Sequence, residues 1–209
     1  MINLIPEICK QALVTSMIVL TISPLAYAKF TPEQVTGINP TTASSETAKV
    51  MPAPLTDASK AITVTENAFV CLKKMQPVRG FFVDNLLGNT QGNLDATLAA
   101  ANAKQGAVYP AGSIVQLIPT EVMIKHHKGW SPATKDWEFF ELEVSKEGSK
   151  IKVRGTTQVI NKFGGNCLSC HIKAEPQWDM ICEENHGCDA LPIPNFVIRW
   201  IQRNDPRCD

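Results

Sequence analysis

The sequence predicts a mainly β, α+β fold: an antiparallel sheet with a few flanking helices, and a short helix near the C-terminus that carries the chemistry. Three observations predict it. Between residues 113 and 159, strand-like segments are separated by turn residues, and the last of them, 151–159, alternates apolar and polar side chains. Residues 93–106 and 194–201 show helical spacing instead. The composition, 44% hydrophobic and 19% charged over 209 residues, is an ordinary globular balance for one domain with appendages.

Taken in order, residues 1–28 read as a secretory signal peptide. Lys10 adds positive charge near the N-terminus, residues 12–22 are mostly apolar, Pro24 breaks the run, and Ala26-Tyr27-Ala28 fits an A-x-A cleavage site. The run is short for a transmembrane helix, so membrane attachment is expected only if the signal stays uncleaved. Residues 29–60, rich in Thr, Pro, Ala and Ser, read as a flexible tether with little to bury. The folded unit is expected over residues 61–209, in an exported, periplasmic setting.

Within that unit Asn93 is expected to cap a helix with Leu94, Leu98 and Ala101 on one face and Gly106 as its stop. The turn Tyr109-Pro110-Ala111-Gly112 leads into strands at residues 113–118 and 121–127. Residues 137–144 and 151–159 flank Lys146-Glu147-Gly148-Ser149-Lys150 and read as a hairpin. Alternation places Ile151, Val153, Thr157 and Val159 on one face of its second arm, with Lys152, Arg154, Thr156 and Gln158 on the other. Phe196, Val197, Trp200 and Ile201 follow Pro194 as the stripe of a last helix.

Lys plus Arg and Asp plus Glu number 20 each, so the formal charge is zero and no nucleic-acid partner is expected. Loss of Cys9 with the signal leaves Cys71, Cys167, Cys170, Cys182, Cys188 and Cys208. An even set in an oxidising compartment points to oxidative chemistry. Cys167-Leu168-Ser169-Cys170-His171 is C-x-x-C-H, the attachment signal for c-type haem. Cysteines three apart on a helical turn share a face, so both sulfurs can meet the two vinyl edges of a porphyrin. The next residue then offers an imidazole nitrogen to iron. The expected cofactor is one covalent haem c, held by Cys167 and Cys170, with His171 as axial iron ligand. Gly164 and Gly165 let the backbone enter the turn closely.

Three rival readings exist for the motif. A redox dithiol lacks the strand–helix–strand context of thioredoxin-type proteins, and a zinc site lacks a second ligand pair downstream. The two cysteines could also be plain disulfide partners. The other four, Cys71, Cys182, Cys188 and Cys208, allow three pairings, and the sequence leaves the choice open. A Cys182–Cys188 bridge would close a short loop, and a Cys71–Cys208 bridge would pin the C-terminal segment.

Motif order adds a family resemblance. Tyr109-Pro110-Ala111-Gly112-Ser113-Ile114-Val115, Val122-Met123-Ile124-Lys125, Asp136-Trp137-Glu138-Phe139-Phe140, the late C-x-x-C-H and Asp179 together resemble the cytochrome P-460 family and the beta-type cytochromes c′. The resemblance implies a mainly antiparallel β fold and a five-coordinate haem on His171, with a distal side that binds a small molecule. Family activities include hydroxylamine oxidation and nitric oxide binding. In hydroxylamine-oxidising members a lysine is cross-linked to the porphyrin. The Tyr-Pro-x-Gly strand aligns Leu117 near that position, and Lys125 is the other candidate, although a strand lysine is ordinarily solvated. The segment from Cys182 to Cys208 departs from the family core.

Further candidates are weaker. Of His126 and His127, alternation turns one inward and one outward, and either could be a distal group, as could His186. Met75, Met123 and Met180 are candidate sixth ligands, though each also suits core filling. Arg79 and Arg154 have the geometry to pair with haem propionates, though each also reads as an exposed charge. Glu138, Glu141 or Glu143 could supply a proton acceptor. Phe81, Phe82, Trp137, Phe139 and Phe140 read as core. Three functions are therefore expected to compete. One is a haem carrier that exchanges electrons with a redox partner protein or binds a small gaseous or nitrogenous ligand such as nitric oxide. Another is an oxidoreductase acting on hydroxylamine or a related compound. The last is a disulfide-stabilised exported domain without haem.

Overall fold

Six strands pair strictly in chain order in the computed structural model, which describes residues 56–208. The signal peptide and most of the tether lie outside the described residues. The strands are β1 (Gln76–Val78), β2 (Phe81–Asn85), β3 (Ser113–Ile118), β4 (Glu121–Lys125), β5 (Trp137–Ser145) and β6 (Gly148–Gly155), each antiparallel to the next. Helix α1 (Asn93–Ala101) separates β2 from β3. The short α2 (Cys167–His171) and then α3 (Asn195–Arg203) follow the sheet. Among the described residues no helix is long and apolar enough to cross a membrane. The expected antiparallel sheet with a few helices is the observed architecture.

Side-chain alternation builds a core on each face of the sheet. Val83, Val115, Met123, Trp137 and Phe139 pack on one face with Tyr109, Val159, Met180 and Ile181. Ile114, Val122, Ile124, Phe140 and Leu142 pack on the other with Val64, Phe69, Leu72 and Met75. A sheet covered on both sides explains why β5 is buried from Trp137 through Leu142 without interruption. Phe81 joins the first core and the half-buried Phe82 packs against the second.

Several expectations are corrected in detail. The hairpin turn is only Lys146-Glu147, because Gly148 already pairs with Ser145. Ile151 and Val153 do not share a face. Glu141 pairs with Val153 but Leu142 with Ile151, so Lys152 is an extra residue, a β-bulge that resets the alternation. Asn93 is the first helical residue of α1 rather than its cap, and the buried positions are Thr97 and Ala101. Thr97 is buried because its hydroxyl meets Ser113 Oγ (2.9 Å) and the Asn85 side-chain amide (3.0 Å). In α3 the inward residue is Ile198, while Phe196 and Trp200 are 67% and 64% exposed. Gln202 donates to the carbonyls of Gly80 (2.7 Å) and Leu117 (2.8 Å), which fixes that rotation.

Of the three pairings open to four cysteines, the structure has Cys71–Cys208 and Cys182–Cys188. The end of the stretch read as a tether is hydrogen bonded to the folded unit: Asp57 N–H donates to Trp130 O, and His127 N–H to Lys60 O.

Candidate functional site

One face of the β4–β5 pair forms the floor of the site. Its cross-strand partners are Glu121 with Glu141, Met123 with Phe139, and Lys125 with Trp137. Residues 156–181 run over this floor. After β6 the chain turns through a tight loop in which Asn161 N–H donates to Gly165 O (2.9 Å) and Gly164 takes φ 84°, a left-handed value suited to glycine. Cys167 N–H then reaches Val159 O at 3.1 Å, which ties the start of α2 to the segment that follows β6. Asn166 caps the helix. Its side-chain oxygen accepts from Ser169 N–H (2.9 Å), and its amide donates to Thr157 O (2.8 Å).

Cys167, Cys170 and His171 are thereby carried on one short helix. Both thiols are half-buried and, among the described residues, are the free cysteines. Burial, reinforced by the charges of Glu121 and Glu141, pushes the Cys167 thiol up to about 12. A thiol held that far from ionisation is a poor nucleophile, which argues against Cys167 as the attacking sulfur of a redox dithiol.

The imidazole of His171 lies with its ring centroid 5.4 Å from that of Phe139. Its Nδ1 is 2.7 Å from Met180 O. A carbonyl can only accept, so Nδ1 carries the proton and Nε2 keeps its lone pair. Burial lowers the His171 pKa, which favours the neutral ring. A neutral imidazole whose other nitrogen is tied to a backbone carbonyl is the form that ligates a metal. With two free thiols on the same turn and exposed Ile160, Phe163 and Ile172 around it, the donor set fits a covalently attached haem.

The turn that carries this carbonyl is itself held, at the preceding residue. Asp179 and Met180 adopt φ 50° and 68°, consecutive left-handed residues that are uncommon outside glycine. Lys125 Nζ donates to both Asp179 oxygens (2.8 and 2.7 Å), Tyr109 N–H adds a third bond (2.9 Å), and Trp137 Nε1 donates to Asp179 O (2.7 Å). Lys125 is therefore not a solvated strand lysine. It is 4% exposed and completes its set with Lys135 O. Burial lowers its pKa and the Asp179 carboxylate opposes that.

At the other end of the floor, Glu141 is 3% exposed and its Oε2 has no partner; Glu121 Oε1 is likewise buried and unpartnered. Burial, with the adjacent Glu141 charge, raises the Glu121 carboxyl to about 7, and burial also raises Glu141. Glu141 is among the glutamates the sequence offers as a proton acceptor, whereas Glu121 is a site residue it did not point to. The signal was present, since Glu121, Met123 and Lys125 share one parity on a strand that faces the motif.

The remaining candidates lie elsewhere. His126 is buried on the opposite face, where Nδ1 accepts from Ile62 N–H (2.8 Å) and Nε2 donates to Glu138 (2.9 Å). Arg154 forks onto the same Glu138 at 2.7 Å, so neither Arg154 nor Glu138 faces the motif. Burial raises the Glu138 carboxyl, but the bonds from His126 and Arg154 outweigh it and hold the group low. His127 and Glu143 are exposed. Arg79 pairs with Glu183 (2.8 Å) and Ala101 O (2.7 Å) rather than standing free. His186 is buried, stacked on Trp178 at 3.7 Å. Met75 packs on the far face, whereas Met123 and Met180 share the core of His171's side. Leu117 packs partly against that core. Among the described residues Cys71, Asp205 and Cys208 converge like metal ligands, but both sulfurs are spent in the disulfide. Comparisons with protein-family models, curated proteins and solved structures find no match to the chain.

Proposed function

We propose that the protein is an exported mono-haem c-type cytochrome, in the manner of the cytochrome P-460 and beta-type cytochrome c′ families, that exchanges electrons with a redox partner protein. The observation that carries the reading is His171: a neutral imidazole, its Nδ1–H given to Met180 O, one residue from a cysteine that stays free while four others are bridged. A disulfide-stabilised domain would have little need to hold that ring by a carbonyl next to Asp179, which Lys125, Tyr109 and Trp137 fix. When bound, haem supplies the one-electron chemistry. The chain orients the axial imidazole, keeps it neutral, and packs Phe139 against its ring.

Expression in a host with cytochrome-maturation machinery tests this. The expected product carries the mass of one covalent haem and a c-type spectrum when reduced. Cys167→Ala with Cys170→Ala loses attachment, and His171→Ala keeps attached haem but changes the axial-ligand spectrum. A colourless wild-type product with Cys167 bonded to Cys170 would sink the reading. Nitric oxide added to the reduced protein distinguishes an open sixth position, which shifts the spectrum, from one filled by a side chain such as Met123. Hydroxylamine turnover would instead mark an oxidoreductase.

A further inference from the structure

We propose that the outward face of α3 is a peripheral docking surface for an anionic membrane. The surface stands independently of the haem reading. Phe196 and Trp200, one helical turn apart, are both exposed. Arg199 and Arg203 repeat the same spacing beside them and are exposed too. Leu191, shortly before the helix, is a further exposed apolar group. The helix cannot turn these rings inward. Ile198 is buried on the opposite side, Gln202 donates to Gly80 O and Leu117 O, and the Cys71–Cys208 bridge holds the chain just beyond. Large apolar groups held in water on a fixed element mark an interaction surface.

Charge and size select the occupant. Helix α3 carries no Asp or Glu, and the next carboxylate, Asp205, is buried and paired with Arg207. Among the described residues neither Arg199 nor Arg203 forms an ion pair. The exposed Lys162 adds a third cation, since it lines one cleft together with Trp200. The net charge of the chain is zero, so the attraction is local, from these cations to anionic phosphate. A protein partner fits less well. Nine residues of helix are about 14 Å long and about 10 Å across, well short of the roughly 800 Å² per side that a stable protein interface buries. A bilayer needs no such area. Aromatic rings settle at headgroup level, arginines reach the phosphates, and the two weak attractions add to reversible binding. At nine residues α3 would lie on the bilayer surface rather than cross it.

Co-sedimentation of the exported protein with lipid vesicles tests the proposal. The wild type is expected to bind vesicles of mixed phosphatidylglycerol and phosphatidylcholine but not of phosphatidylcholine alone. Raising salt from about 0.05 M to about 0.5 M is expected to release it. Arg199→Gln with Arg203→Gln weakens binding by about 30-fold. Phe196→Ala with Trp200→Ala weakens it at every salt concentration. All four side chains are exposed, so both variants keep the wild-type denaturation midpoint. No binding to the anionic vesicles would overturn the proposal. Equal binding by either variant would overturn it too, because the contact would then lie elsewhere in the chain. A wild-type dimer that Phe196→Ala with Trp200→Ala dissociates would give the face to a second copy. Tighter binding of an Asp- and Glu-rich peptide than of vesicles would give it to an acidic protein. Either of these last results also overturns the membrane assignment.

Discussion

Asp179 concentrates more of the site's geometry than any other side chain. Its backbone and that of Met180 sit in left-handed conformations that cost energy for these residues, and the strain persists because the carboxylate and carbonyl are both held. The consequence is at the next residue, whose carbonyl orients His171. Asp179→Asn keeps a side-chain oxygen for Tyr109 N–H but strips the charge that Lys125 needs. An ammonium buried at 4% exposure without its partner costs about 3–5 kcal/mol. Urea unfolding is expected to show that loss. Adding Lys125→Met to the same chain is expected to recover part of it, because the double variant leaves no uncompensated charge. Equal stability of Asp179→Asn and wild type would mean that the ion pair is not what holds this turn.

At the scale of elements, α2 is the most dependent part. Five residues are too few for a helix to stand without outside support. Asn166 supplies that support twice, by capping Ser169 N–H and by tying the loop to Thr157 O. Asn166→Ala is expected to cost about 1 kcal/mol and to lower the yield of attached haem. Asn166→Asp keeps the cap and should retain most of that yield. Stability is checked by denaturant melts and attachment by absorbance per mole of protein; an unchanged yield in Asn166→Ala would show that α2 forms without its cap. The sheet around α2 was legible because β3 to β6 are segments of strand length set between clear turns. β1 was not, since Gln76-Pro77-Val78 is too short to show a period, and in β2 the adjacent Phe81 and Phe82 mask the alternation. The bulge at Lys152 was hidden because one added residue leaves composition untouched and changes only parity. Phe196 and Trp200 misled because helical spacing reports which residues share a side, not which side faces in. The shared helical turn of Cys167, Cys170 and His171 was legible because their spacing is local. The Lys125–Asp179 clamp joins residues 54 positions apart, and the pairing of Glu121 with Glu141 depends on a strand register that no local pattern encodes.

Across the whole molecule the two disulfides do different work. Cys71–Cys208 spans 137 positions and ties the segment under the second core to the C-terminus, beside the buried Asp205–Arg207 pair that also receives Leu72 N–H. Cys182–Cys188 spans only 6 and closes the loop that stacks His186 on Trp178 and returns His186 O to Glu175 N–H. Chain entropy ranks them: constraining the unfolded state is worth about 5 kcal/mol for the long loop and about 2 kcal/mol for the short one. Function ranks them the other way. The short loop flanks Asp179 and Met180 and so the carbonyl on His171, whereas the long bridge lies with Leu72 and Phe69 on the far side of the sheet. Cys71→Ser with Cys208→Ser is therefore expected to lower the denaturation midpoint more, with an unchanged c-type spectrum. Cys182→Ser with Cys188→Ser is expected to cost less stability but to alter the axial-ligand spectrum and the midpoint potential. Measured side by side on holoprotein, the opposite ordering in either readout would show that the C-terminal segment does not divide into a stabilising strap and a loop that steadies the imidazole.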